Sequence, residues 1–236
     1  MIKEPVFLLI ETATDICSVA LSKGTEIIGL KEDSNTNSHA KKLLPFIDEV
    51  IKANNMTSKD LNAVVVSSGP GSYTGLRIGV STAKGIAYTA EIPLISVGTL
   101  TGIASGAVCD PNNVIADNSV IVPMIDARRM EVYTTLFDKN LNHLDEISSK
   151  IVDEKTFEAL MHDHKAIFCG NGMPKLRELL SVNPNAVFSD NPISAKNLLP
   201  IALKKWDEQL FENTAYFEPF YLKEYIAGKP VVKGLN

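Results

Sequence analysis

The sequence predicts an α/β protein made of two successive lobes of related architecture. Short apolar runs of strand length, such as residues 6–10 and 64–66, alternate along the chain with longer segments of helical periodicity. The first half is predicted to contain three strands, a helix, a strand, a second helix and a last strand, and a weaker copy of that order follows. Because 45% of the 236 residues are hydrophobic, both copies can bury a core, and we expect two mixed sheets covered by helices.

Three strands joined by short turns open the chain. The continuous apolar run 6–10 is typical of a buried strand, and it ends at the turn-prone segment 11–14. Residues 17–21 alternate between apolar and small polar side chains, and a third strand at 26–31 follows the turn at 23–24. Because the connections are this short, the three strands are predicted to form an antiparallel meander.

Two long helices are predicted in the first lobe. The first spans residues 39–53, with Asn37 or Ser38 as its N-cap. The second spans residues 73–90 and begins directly after a glycine-rich loop that follows the strand at 64–66. Both helices are long enough to cross a whole sheet.

The boundary between the lobes is predicted after a strand at 93–97. The first lobe is assigned residues 1–107 and the second lobe residues 108–236, and we expect the last helix and the tail to dock back on the first lobe. The elements predicted in the second lobe are strands at 120–125, 131–137 and 141–152, a helix at 154–162, a strand at 166–169, a helix at 175–180, a strand at 186–188 and a helix at 194–210.

Composition and charge restrict the classes of function. The chain carries 28 acidic and 23 basic residues, which is the reverse of the basic excess that a protein needs to grip nucleic acid unaided. Cys17, Cys109 and Cys169 lie far apart without a CxxC spacing, so neither a disulfide framework nor a structural zinc site is predicted. No apolar run has the length of a signal sequence or a membrane span, so we expect a cytoplasmic protein without membrane contact.

The glycine-rich loop 69–75 (GPGSYTG) is the strongest local signal. It joins a strand to a helix, where backbone N–H groups can hold an anion. It lacks the Lys-Ser/Thr pair of a P-loop, and Gly75 comes one residue too late for a Rossmann fingerprint. Phosphate binding stays open as an alternative, but a tight turn that lets the helix lie close on the sheet is favoured.

Candidate catalytic groups are sparse. The chain has four histidines, which are His39, His143, His162 and His164. None has a His or Glu partner at a zinc-binding helical spacing, and no Gly-x-Ser-x-Gly elbow occurs. Asp126 follows a buried strand, where a carboxylate can be catalytic, but turn anchoring or pairing with the arginines that follow it is favoured.

Five segments occur together in an order and spacing that resemble a known family. They are 11–14 (ETAT), 39–45 (HAKKLLP), 69–79 (GPGSYTGLRIG), 126–133 (DARRMEVY) and 170–172 (GNG). Together they closely resemble the TsaB (YeaZ) family over nearly the whole chain, and the long glycine motif is the most specific. The resemblance implies the actin-like and heat-shock-chaperone ATPase fold, built from two ribonuclease-H-like lobes. It also implies a role in forming N6-threonylcarbamoyladenosine at position 37 of ANN-decoding tRNAs.

The resemblance further implies partners. Members of the family serve a catalytic sister subunit, TsaD, together with the small ATPase TsaE, so we expect a TsaD-like and a TsaE-like partner and tRNA contact only through the complex. A homodimer is a further expected state, and its balance against the heterodimer stays open.

The sister family carries a metal-binding His-x-x-x-His pair, and the matching positions in this chain are Thr99 and Ile103, which are not useful metal ligands. A non-catalytic subunit is therefore expected. We expect no metal and no cofactor of its own, and ATP or ADP only at an interface shared within the complex. The alternative is a stand-alone ATP-dependent kinase or metallopeptidase of the same fold, which would need phosphate-binding turns or metal ligands.

The two long helices are the predicted partner surface. Their apolar arcs cover roughly 160° and 220°, whereas a helix that covers only its own sheet needs about 100°. The candidate interface residues are His39, Leu43, Phe46, Ile47, Val50, Tyr73, Ile78, Gly79, Thr82, Ala83 and Ile86. We expect Leu76 and Val80 to face the sheet, and the small residues Gly79, Ala83 and Ala87 to let a partner helix approach closely. The alternative is that the chain itself buries the whole of both arcs.

A second, weaker set of candidate residues belongs to the family motifs and is where a nucleotide at a shared interface would lie. The set consists of Thr12, Gly69, Gly71, Ser72, Gly75, Arg77 and Asp126.

Overall fold

The computed structural model describes residues 4–34 and 39–223. The first half of the chain forms β1 (Val6–Glu11), β2 (Cys17–Lys23), β3 (Glu26–Asp33), α1 (His39–Ala53), β4 (Ala63–Ser67), α2 (Tyr73–Ala90), β5 (Leu94–Val97) and α3 (Thr99–Cys109). The predicted meander and both long helices are confirmed, and the proposed N-caps Asn37 and Ser38 lie outside the described residues.

The second half repeats this plan. It forms β6 (Ser119–Asp126), β7 (Glu131–Thr134), β8 (Ser148–Ile151), α4 (Glu158–Asp163), β9 (Lys165–Cys169), α5 (Pro174–Leu180), β10 (Ala186–Phe188) and α6 (Leu199–Asp207). The predicted third strand at 141–152 is shorter than expected, and the last helix begins with a separate 3-10 turn, Ala195–Leu198, capped by Ser194 as predicted.

The two sheets have the same topology. The first has strand order β3-β2-β1-β4-β5, with β1 to β3 antiparallel and β4 and β5 parallel to β1. The second has order β10-β9-β6-β7-β8, in which β6 takes the place of β1. The repeat of one mixed-sheet unit, expected from the sequence, is therefore confirmed.

The outer faces of both sheets are covered by helices of the same half of the chain. In the first lobe, α1 packs on β2 and β3 and α2 packs mainly on β4, through side chains such as Leu43, Val50 and Val80. In the second lobe, α4 and α5 pack on β6 and β9 through Met161 and Leu176. Each of these helices therefore buries its apolar face locally.

The inner faces of the two sheets exchange their covering helices. Leu100, Ile103 and Ala104 of α3 pack against the second sheet, although α3 directly follows the first. Leu198 and Ala202, which follow the second sheet, pack against the first. The predicted boundary between residues 107 and 108 falls inside α3, so it would divide this helix between the two lobes.

The helix α3 itself was not predicted from the sequence. Its residues TLTGIASGAVC include two glycines and several β-branched or small side chains, which are weak helix formers. Eight of its eleven residues are buried, so it shows no polar face and no amphipathic period. Within residues 4–34 and 39–223, none of the helices has the length and apolar character that crossing a membrane requires.

Candidate partner interface and glycine-rich loop

Helix α2 presents three distinct faces. Leu76, Gly79, Val80, Ala83 and Ala87 form its buried face, and Val80, Ala83 and Ala87 pack on the first sheet. This confirms the prediction that Val80 faces the sheet, and Leu76 is fully buried beside Gly69 of the glycine-rich loop. The second face contacts the C-terminal segment of the chain, and the third lies beside α1.

An open groove runs between α1 and the third face of α2. Its volume is about 580 Å³, and its lining is mostly apolar or small. The lining residues are Leu44, Ser58, Ser81, Thr82, Gly85, Ile86, Thr89 and Ala90. The side chain of Leu44 is 61% exposed on one wall, and Tyr88 beside the groove is 79% exposed. Large exposed apolar side chains grouped around a groove mark an association surface.

The structure divides the predicted interface residues into two groups. Thr82 and Ile86 line the groove, whereas Phe46, Tyr73 and Ile78 are partly exposed and do not line it, and Tyr73 packs on Tyr221 of the C-terminal segment. Six others are buried within the chain, and these are His39, Leu43, Ile47, Val50, Gly79 and Ala83. The sequence argument missed Leu44, Ser81, Gly85 and Thr89, because a helical wheel gives the width of an apolar arc without showing which part faces the sheet.

The prediction that small residues admit a partner helix is wrong for α2. A Cβ added at Gly79 would lie less than 3.0 Å from Oγ1 of Thr12, which packed atoms do not reach. Gly79 therefore lets α2 lie close on the turn that follows β1, and Ala83 and Ala87 are buried against the first sheet. The small residue of the exposed face is Gly85, which has no atom within 4 Å of the place where a Cβ would stand.

The glycine-rich loop packs against the turn that follows β1. The amide of Ser72 donates to the Ala13 carbonyl at 2.7 Å, and the Thr12 hydroxyl donates to the Gly75 carbonyl at 2.8 Å. Added Cβ atoms at Gly71 and Gly75 would collide with the carbonyl oxygens of Ala13 and Thr12. The favoured interpretation of the loop as a close-packing turn is thus confirmed.

Three amides of the glycine-rich loop are already bonded within the chain. Gly69 donates to Oγ1 of Thr99 at 3.1 Å, and Gly75 donates to Oγ of Ser72, the N-cap of α2, at 3.2 Å. The Ser72 amide is used as described above, and Pro70 has no N–H. A phosphate would have to displace these bonds to use the three amides, and the loop lacks the Lys-Ser/Thr pair of a P-loop.

Replacing Gly75 with alanine is expected to destabilise the fold by about 2–4 kcal/mol, because the new methyl group overlaps a backbone oxygen that cannot move alone. Urea unfolding of the purified chain measures this change. The matched control is Gly85→Ala on the same helix, which meets open space and should stabilise the chain by about 0.5–1 kcal/mol. Equal midpoints for the two variants would contradict the packing role of Gly75.

Glu11 is a buried carboxyl at the end of β1. It is 1% exposed, and its Oε1 accepts a hydrogen bond from the Ala13 amide at 2.6 Å. Burial raises the pKa of Glu11 to about 7, against the opposing effect of hydrogen bonds from the Ala13 and Thr12 amides. The protonated form of this carboxyl is therefore favoured in the folded chain up to about neutral pH.

Asp126 anchors the turn between β6 and β7. Its Oδ1 accepts from the Arg128 amide at 2.6 Å and from Nζ of Lys175 at 2.8 Å. Turn anchoring is confirmed, but the ion-pair partner is Lys175 and not the side chains of the arginines that follow Asp126. Arg128 and Arg129 both have positive φ angles, 71° and 49°, which this anchoring holds in place.

The positions at which the sister family carries its metal ligands are buried in this chain. Thr99 is 0% exposed and Ile103 is 5% exposed. In the part of the chain that the structure describes, no group of three His, Cys, Asp or Glu side chains could hold a metal ion. Glu11, Thr12 and the glycine-rich loop lie together in the first lobe.

Comparison with protein families gives a match along most of the chain. The family model described as "TsaD: tRNA N6-adenosine threonylcarbamoyltransferase" matches residues 26–234. The "tRNA threonylcarbamoyladenosine biosynthesis protein TsaB" of Escherichia coli K12 is 30% identical over 230 residues, covering 94% of this chain and 96% of that protein. The TsaB protein of Bacillus subtilis is 31% identical over 140 residues, covering 59% of this chain and 58% of that protein.

Solved structures resemble the fold as a whole. YeaZ from Pseudomonas aeruginosa superposes with a TM-score of 0.76 at 22% identity, covering 92% of this chain and all of that chain. An activator of 2-hydroxyisocaproyl-CoA dehydratase from Clostridium difficile gives a TM-score of 0.51 at 11% identity over 86% of this chain and 95% of that chain. Both likenesses concern the two-lobed architecture, and they agree with the actin-like fold expected from the sequence.

Proposed function

The chain belongs to the TsaB family, and from that membership we propose that it is an accessory subunit for the formation of N6-threonylcarbamoyladenosine in tRNA. The observation that carries the proposal is the open apolar groove between α1 and α2. It lies on the outer side of the first lobe and contains no charged side chain, so it suits a protein partner better than a substrate.

The proposed partner is a TsaD-like catalytic subunit that seats a helix or helix pair in the groove. Leu44 and Ile86 supply apolar contact area there, and Gly85 lets a partner backbone come near. A contact of standard size would bury on the order of 1,600 Å² in total. A second copy of this chain would compete for the same groove, and a TsaE-like ATPase would join the assembled pair.

A non-catalytic role is supported by the glycine-rich loop and by the side chains of Thr99 and Ile103. The loop amides of Gly69 and Gly75 are already bonded within the lobe, and Thr99 and Ile103 offer no metal ligand of useful strength. We therefore assign no cofactor to the chain itself, and place any ATP or ADP at an interface within the complex. With a net charge of −5, the chain leaves most of the tRNA contact to its partners in the cytoplasm.

Depleting the chain in its own cells is expected to remove threonylcarbamoyl groups from ANN-decoding tRNAs while TsaD-like protein levels stay unchanged. Mass spectrometry of nucleosides from digested tRNA measures the modification, and immunoblotting measures the partner. Re-expression of the intact chain should restore the modification. Full modification after depletion would overturn the assignment. Stoichiometric iron or zinc together with peptidase activity in the purified chain would favour the alternative of a stand-alone metallopeptidase.

A further inference from the structure

The segment after α6 returns to the first lobe and contacts it at several points from Glu212 to Tyr221. At its start, the Glu212 amide donates to the Leu94 carbonyl at 2.8 Å, which extends the edge of the first sheet by one bridge. The Glu212 carboxylate also accepts a hydrogen bond from the Ser96 hydroxyl. Further along, Nζ of Lys84 on α2 donates to the Phe217 carbonyl at 2.8 Å. The segment is thus held by backbone groups as well as by side chains.

The same segment then crosses the glycine-rich loop. The amide of Phe220 donates to the Ser68 carbonyl at 2.7 Å. Gly69 has a φ of +111°, and a Cβ there would collide with the Phe220 carbonyl oxygen. Next to it, the Tyr221 ring lies 5.0 Å from the Tyr73 ring. The absence of a side chain at Gly69 therefore leaves room for the backbone of the C-terminal segment.

The end of the segment reaches the second lobe. Nζ of Lys223 lies 2.5 Å from Oε1 of Glu131, the first residue of β7. This hydrogen bond from the Lys223 ammonium holds the pKa of Glu131 below its usual range. Two residues before Lys223, the hydroxyl of Tyr221 accepts a hydrogen bond from Nε of Arg77 in the first lobe at 3.3 Å. One short piece of chain is therefore anchored to both lobes.

We propose that residues 212–223 form a latch that ties the second lobe to the first, in addition to the exchanged inner helices, and keeps the glycine-rich loop covered. The anchors on the first lobe are numerous, at Leu94, Lys84, Ser68 and Tyr73. The polar anchor on the second lobe is the ion pair of Lys223 with Glu131, in which the lysine side chain is half-exposed. The latch consequently opens first at its Lys223 end, since a solvated ion pair is weak and sensitive to salt.

Distance measurement between spin labels on the two lobes tests the latch. Cysteines replace Thr25 in the first lobe and Lys155 in the second, with Cys109→Ser removing the exposed native thiol. We expect one narrow distance distribution in the otherwise unchanged chain. In the Lys223→Glu variant, charge repulsion replaces attraction, and we expect a distribution at least about twofold broader.

The control is Lys139→Glu, which reverses an equally exposed lysine paired with Asp117 inside the second lobe and should leave the distribution narrow. Hydrogen exchange gives an independent readout. Phe220→Pro removes the amide bonded to Ser68, so exchange at residues 67–75 and 126–131 should become about tenfold faster, whereas Phe220→Ala keeps the amide and should change little. An unchanged distribution in Lys223→Glu, together with unchanged exchange at 126–131 in Phe220→Pro, would overturn the proposal.

Discussion

Replacing Thr82 with arginine is expected to abolish binding of the TsaD-like partner while leaving the fold intact. Thr82 is half-buried on the groove wall, next to Ile86 and across from Leu44. In the isolated chain an arginine there can extend into solvent, so little stability is lost. In the complex its charge would be buried without an acid partner, which costs at least about 3 kcal/mol and weakens the affinity more than about 100-fold.

Titration of the partner into wild-type and variant chains by calorimetry measures this effect, and circular dichroism with thermal melting checks the fold. The matched control is Thr25→Arg, an identical substitution at an exposed position in the turn between β2 and β3, outside the groove. The control should bind normally. Wild-type affinity in Thr82→Arg would mean that the partner binds elsewhere, and selective unfolding of Thr82→Arg would mean that the groove is part of the core.

Replacing Glu11 with glutamine is expected to stabilise the chain strongly above neutral pH. The folded state raises the pKa of Glu11 from 4.5 to about 7, so it binds the proton more tightly than the unfolded state does. The free energy of unfolding must then fall as the pH rises from about 4.5 to about 7, by about 3 kcal/mol in total. Glutamine keeps an oxygen acceptor for the Ala13 amide and has no proton to lose.

Urea unfolding at about pH 5 and about pH 8 separates the two states of this carboxyl. The wild-type chain should lose about 2.5 kcal/mol between these conditions, and Glu11→Gln should lose much less. Acids with lowered pKa values, such as Asp117 and Asp138, lose their stabilising effect only at lower pH. Glu146→Gln, at an exposed acid, is the control and should keep the wild-type pH dependence. Parallel pH dependence in Glu11→Gln would show that Glu11 ionises freely.

The elements that sequence analysis predicted correctly are those whose signal is local. Strand β1 is a run of apolar residues bounded by a turn, and α2 begins at a serine cap after glycines, so each is encoded within a few neighbours. Helix α3 was missed because it is buried on nearly all sides and rich in small residues. Its helical state depends on contacts such as those of Gly102 with Leu198, which lie far along the chain.

The candidate site shows the same division between local and distant information. The width of the apolar arc on α2 is a property of its own sequence, and the arc includes Thr82 and Ile86, which line the groove. Which part of the arc faces the sheet depends on where β1 places Thr12, so the buried Gly79 and Ala83 were misassigned. Likewise, the partner of Asp126 is Lys175, 49 residues away, and no spacing rule identifies such a pair.

The exchange of covering helices between the lobes has a consequence for synthesis on the ribosome. The inner face of the first sheet, with Phe7, Leu9 and Val65, stays uncovered until Leu198 and Ala202 have left the exit tunnel. At typical bacterial elongation rates, the time between synthesis of the first sheet and synthesis of these two residues is on the order of 5–20 seconds. During that time the nascent first lobe presents an apolar sheet surface to chaperones, and its folding can be completed only near the end of translation.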